Sequence, residues 1–133
     1  MSEQQNVKSV QEAYAAFGQG DIPTALSYLS NDIVWEVPGP DVLPWAGVHK
    51  GQEAVTSFFQ TLGANAGTEH FQPEEFIAQG EMVVVLGHEK GTSPSTGRKY
   101  TNRWAHIFTM RNGKVSRFRE YQDTFAMAEA FRQ

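Results

Sequence analysis

Apolar residues recur at the helical period along the first third of the chain. Val7, Val10, Tyr14 and Phe17 follow one another at spacings of three, four and three, which puts them on one face of an amphipathic helix. Gly18 and Gly20 end that stripe. Asp21 has the character of an N-cap, and Pro23 is tolerated in a first turn. Ile22, Ala25, Leu26 and Leu29 then predict a short second helix. Residues 32–37 (D-I-V-W-E-V) are β-branched and aromatic and predict a strand. Residues 38–50 hold three prolines and two glycines, so they predict a loop despite Val42, Leu43 and Trp45. Val55, Phe58, Phe59 and Leu62 form a third helical stripe between Gly51 and Gly63.

Beyond that point the period changes from helix to strand. Residues 71–79 predict a weaker strand with Pro73 marking an edge or an irregular start, and residues 82–90 a strong one. Residues 91–98 (G-T-S-P-S-T-G-R) form a long turn. Residues 99–110 and 114–123 predict two more strands joined at Arg111-Asn112-Gly113, and residues 124–131 a closing helix. Helices first, then mostly antiparallel strands, make the fold class α+β. One domain over residues 1–133 is expected.

Composition narrows the function classes. The formal charge is −4 and no Lys/Arg run occurs, which disfavours a nucleic-acid partner. There is no cysteine, so disulfides, thiolate metal sites and cysteine nucleophiles are excluded. No apolar stretch reaches the length of a membrane span, and residues 1–6 are polar with no signal-peptide core. A cytoplasmic protein with no membrane partner is the expectation. His49, His70 and His88 lack metal-ligand spacing, and no phosphate loop or nucleophile elbow is present. No metal and no cofactor are therefore expected. Sixteen aromatic residues (nine Phe, three Trp, four Tyr) are the feature that asks for a role.

Several segments carry a resemblance. They are Y-A-A-F-G-Q-G-D from Tyr14, N-D-I-V-W-E-V-P-G from Asn31, P-W-A-G-V-H-K-G from Pro44 and the Phe58-Phe59 pair. N-R-W-A-H-I-F-T-M-R-N-G-K-V from Asn102 runs on into R-F-R-E-Y-Q-D-T from Arg117. Together they span almost the whole chain. The sequence resembles the nuclear transport factor 2-like superfamily and, more closely, its SnoaL-like, ketosteroid-isomerase-related members. The resemblance implies a cone-shaped half-barrel of curved, mostly antiparallel sheet, packed against three helices from the N-terminal half with a pocket between. It implies little about chemistry, because the superfamily hosts isomerases, cyclases, hydrolases and non-enzymes. Ketosteroid isomerase uses an Asp base and an oxyanion hole of Tyr and protonated Asp. Its base position falls on Val37, its Tyr position near Ala13 (one residue from Tyr14) and its oxyanion Asp position on His106. None of the three side chains carries over.

Strand alternation orders the candidate pocket. Tyr100, Asn102, Trp104, His106 and Phe108 share one face of their strand, and that aromatic face should turn inward. A two-residue Asn112-Gly113 turn would set His106 opposite Arg119 and Trp104 opposite Tyr121. A three-residue turn with Gly113 bulged would pair Met110 with Lys114 and set His106 opposite Phe118, Trp104 opposite Glu120 and Asn102 opposite Gln122. The second register is favoured, because it keeps Arg103, Arg117 and Arg119 outside and Phe118 inside. Glu120 then lies diagonal to His106, where a carboxylate can orient an imidazole. His106 is the expected general acid/base and Glu120 its partner, against the alternatives of a structural histidine and an arginine-paired glutamate. Trp35, Val37, Trp45, Trp104, Phe108 and Phe118 are the expected ligand walls, with Asn102 and Gln122 as polar contacts. Tyr14, Phe17, Phe58 and Phe59 are expected in the core. The expected function is a small-molecule pocket protein, a cofactor-free isomerase, cyclase or hydrolase acting by proton transfer on a carbonyl-bearing or cyclic organic substrate. The alternatives are a non-catalytic binder of a small apolar ligand, and an interaction module using Arg103, Ile107, Arg117, Arg119 and Tyr121. A homodimer is the expected assembly.

Overall fold

A computed structural model describes residues 2–133. Ten elements follow in order: α1 (Glu3–Gly18), α2 (Ile22–Ser27), β1 (Leu29–Val37), β2 (Gly47–Lys50), α3 (Gln52–Asn65), β3 (Thr68–Gln79), β4 (Met82–Thr92), β5 (Lys99–Arg111), β6 (Lys114–Gln122) and α4 (Thr124–Phe131). The six strands form one curved, open sheet in the order β2-β1-β6-β5-β4-β3. Every pairing is antiparallel except β1 with β6. The fold class is α+β, as the pattern predicts.

The helices begin where the sequence supplies caps. Ser2 and Gln5 form a capping box on α1, Asp21 caps α2 through Thr24, and Asp123 caps α4 through Ala126. Val10 on α1 and Val55 on α3 are fully buried, and they meet Ile33, Val85 and Val115 from the sheet in one core. Burial of this stripe, rather than helix propensity, holds the helices to the sheet.

Several boundaries differ from the sequence reading. Leu29 opens β1 instead of closing α2, because Tyr28 caps that helix and its carbonyl accepts from Val115. The predicted loop 38–50 contains β2, which pairs with Val34–Val37 of β1 at the sheet edge. Its residues are mostly exposed, so no hydrophobic alternation announces it. Gly63 does not end α3; it faces open space, and the helix runs on to Asn65. β3 starts at Thr68, and Pro73 sits on this edge strand beside a break in register, where its missing N–H costs no ladder bond.

The β5–β6 hairpin decides the site. Asn112 and Gly113 have positive φ (53° and 79°), the signature of a two-residue type I′ turn, and Arg111 pairs with Lys114. The three-residue turn is therefore absent. A strict ladder from that turn would bring Arg119 and Tyr121 inside. Ser116 prevents it: Met110 pairs with Val115 but Thr109 pairs with Arg117, so Ser116 is an extra residue in a bulge. Its hydroxyl donates to the Thr109 carbonyl at 3.1 Å. Beyond the bulge Phe118 and Glu120 face inward, as in the favoured reading, but displaced by two residues along β5. His106 lies opposite Glu120, not Phe118, and Trp104 opposite Gln122, not Glu120.

Candidate functional site

The concave face of the sheet and helices α1 and α3 enclose a cavity of about 360 Å³. Its wall is largely aromatic. Trp35, Val37, Trp45, Phe108, Phe118 and Gln122 line it with His106 and Glu120. Asn102 and Trp104 do not. Trp35 stacks on Phe118 with ring centroids 3.8 Å apart, and Trp45 meets Phe131 of α4 edge-on at 5.1 Å. Trp45 thus joins the 38–50 loop to the closing helix.

Asn102 is fully buried in a structural role. Its amide donates to the Gln122 carbonyl at 2.8 Å, and its oxygen accepts from the Asp123 backbone at 2.9 Å. Gln122 in turn donates to the Pro38 carbonyl at 2.8 Å. Together they tie the end of β6 to the end of β1. Trp104 faces inward yet stands behind the histidine, stacked on it at 3.9 Å. Its ring occupies space left by Gly87, where a Cβ would come within 2.5 Å of it.

His106 is the centre of a three-residue line. Its Nε2 lies 2.7 Å from Glu120 Oε2, and its Nδ1 lies 2.6 Å from the Tyr14 hydroxyl. With Glu120 as a carboxylate, Nε2 carries the hydrogen and Nδ1 accepts from Tyr14. Burial, and then the Glu120 charge, push the Tyr14 hydroxyl well above the usual phenol range, so it stays protonated and remains a donor. Among the described residues Glu120 pairs with no arginine, neither Arg103 nor Arg119; on the outer face Arg117 pairs with Glu36 at 2.8 Å. Tyr14 was expected only as core. It does pack, edge-on to Phe108 at 5.7 Å, but it is also the histidine's second partner. The one sequence signal for this was its place next to the isomerase Tyr position.

A further carboxyl escaped the sequence reading. Glu89 on β4 is buried on the cavity wall. Burial, reinforced by the Glu120 charge and opposed by the Asn102 amide, pushes its carboxyl up to about 8. Inward alternation along β4 (Val83, Val85, Gly87, Glu89) was the signal that could have found it. Glu69 and His70 also touch the cavity from β3 but are exposed. Among the described residues, no three acidic or imidazole groups converge as a metal-ligand set.

Residues 10–118 match the family described as SnoaL-like domain. Solved structures share the fold along the whole chain. An NTF2-like protein from Burkholderia xenovorans is 39% identical, with 98% of each chain covered and a TM-score of 0.89. One from Burkholderia pseudomallei is 31% identical, with 100% of each chain covered and a TM-score of 0.89. TerC, solved as a co-crystal with polyporic acid, is 30% identical, with 97% of this chain and 99% of its own covered and a TM-score of 0.87.

Proposed function

The chain belongs to the SnoaL-like domain family, and from that membership we propose a small-molecule pocket protein that performs cofactor-free proton transfer on a carbonyl-bearing or cyclic organic compound. The observation that carries this reading is the Tyr14–His106–Glu120 line, with its contacts of 2.6 and 2.7 Å at the two imidazole nitrogens. The co-crystal of TerC with polyporic acid supports a small organic ligand.

Both ring nitrogens are taken, so the ligand meets Tyr14 rather than the imidazole. A proton leaving the ligand arrives at the Tyr14 oxygen as the hydroxyl's own proton passes to His106 Nδ1. The imidazolium so formed lies against the Glu120 carboxylate, which stabilises it. Reversal returns the proton to another atom of the ligand, which is an isomerisation or ring closure. The aromatic wall excludes water and strengthens each of these charges. Tyr14 is thus the group that touches the ligand, His106 holds the proton and Glu120 orients the ring.

Deuterium uptake from D₂O next to the carbonyl of 2-tetralone, followed by NMR, tests this. The protein should accelerate uptake, and Tyr14→Phe and His106→Ala should each lose about 10²–10⁴-fold of that acceleration. No acceleration by the wild type over buffer overturns the reading. A second reading, a non-catalytic binder, is favoured by the saturation of both imidazole nitrogens. It expects 2-tetralone to bind with no exchange. A homodimer is part of the proposal, supported by Tyr121 and Phe125, four residues apart across the β6–α4 junction and both exposed.

A further inference from the structure

Glu89 is the buried acid that the proton line leaves unused. It projects from β4 into the same cavity as Tyr14 and Glu120, with Phe71 opposite it on β3 and Asn102 opposite it on β5. Among the described residues no salt bridge reaches it; its polar neighbour is the Asn102 amide, which also donates to Gln122 while its oxygen accepts from Asp123. The titratable groups that face it are Glu120 on β6, His106 and Tyr100 on β5, Tyr14 on α1, and Glu69 and His70 at the β3 rim. None of these is a cation fixed against it. Two carboxyls in one apolar cavity cannot both be charged cheaply, and Glu120 is the one that has the imidazole.

We propose that Glu89 is the cavity's hydrogen-bond donor to the ligand, giving its carboxylic O–H to a carbonyl or enolate oxygen. The cavity then has two poles. Glu89 donates, and the Tyr14–His106–Glu120 line accepts. The ligand that fits both carries an acceptor oxygen and an acidic hydrogen on a flat apolar body. This deepens the proposed function and rests on it for the second pole alone. The upward shift of Glu89 to about 8 agrees with a donor at neutral pH.

The test is affinity for polyporic acid, measured by fluorescence quenching of the tryptophans at fixed ionic strength. Glu89→Leu keeps the volume and removes the donor; Glu89→Gln keeps a donor that cannot ionise. The expected result is about tenfold weaker binding by Glu89→Leu at pH 7 and near-wild-type binding by Glu89→Gln. Wild-type affinity should also fall as pH rises through about 8, and Glu89→Gln should remove that fall. Circular dichroism confirms that each variant is folded. Wild-type binding no tighter than that of Glu89→Leu overturns the proposal, as does an unchanged pH profile in Glu89→Gln. Tyr14→Phe separates the two readings, because it should abolish deuterium exchange while the affinity step at Glu89 persists.

Discussion

Tyr14 serves packing with its ring and the site with its oxygen. Its ring meets Phe76 edge-on at 6.0 Å, and its hydroxyl reaches His106. Tyr14→Phe separates the two. The ring contacts survive, but Nδ1 of His106 is left buried without its donor. The expected loss is about 1–3 kcal/mol, read as a lower urea midpoint with an unchanged slope. Glu89 has the opposite consequence. The folded chain keeps its proton up to about 8, whereas an unfolded glutamate releases it near its ordinary 4.5. Between those values the folded state binds more protons, so stability is full below 4.5 and is lost as pH rises to 8. The slope is at most about 1.4 kcal/mol per pH unit, and Glu89→Gln should flatten it in urea titrations at pH 5 and 8. Sequence reading missed both residues for physical reasons. A helical stripe at spacings of three and four marks an inward face, but a tyrosine there looks the same whether its oxygen is used or not. Glu89 stands near the polar end of its strand; alternation from Val83 places it on the inward face, but a carboxylate in a polar run reads as solvated until the fold closes a cavity over that face.

At the scale of elements, alternation told which residues of β5 face inward, and it told so correctly from Tyr100 to Phe108. Pairing was harder. The Asn-Gly turn and the arginines on the outer face pointed to registers of opposite parity, and Ser116 reconciles them. The physical test is to shorten β6. Deleting Ser116 leaves a regular ladder with Glu120 still opposite His106, so the fold should survive at a cost of about 1 kcal/mol for the lost hydroxyl bond. Deleting Arg119 instead turns every later residue of β6 over, and Glu120 leaves the cavity. That variant should lose exchange activity and most of its stability, as seen by urea unfolding. Gly87 is a second control point. A Cβ there would come within 2.5 Å of both the Gln72 carbonyl and the Trp104 ring. Gly87→Ala should cost about 1–3 kcal/mol and shift the Trp104 fluorescence, since the ring that backs His106 must move.

At the scale of the molecule, the sheet is closed at one end by α4. Phe131 packs on Trp45 and Tyr100, Thr96 donates to the Ala130 carbonyl at 2.5 Å, and Arg98 reaches the Glu129 and Arg132 carbonyls. No helix is long and apolar enough to cross a membrane among the described residues. The exposed Tyr121 and Phe125, 55% and 67% accessible, are the surface on which the proposed homodimer is to be tested. Sedimentation equilibrium at micromolar concentration should give a dimer mass, and Phe125→Glu should shift it toward monomer.

The one parallel pairing, β1 with β6, joins residues near position 35 to residues near position 118. Tyr14 and Glu120 likewise meet only through His106, from near opposite ends of the chain. Such distant closures are slow to form, because a long loop must lose its freedom before any contact compensates. The α1 helix and the β3–β4 hairpin can form early from local contacts. The cavity cannot exist until the last strand has been made and docked. In a refolding experiment, recovery of the native fluorescence of Trp35 and Trp45 on the cavity wall should lag recovery of secondary structure.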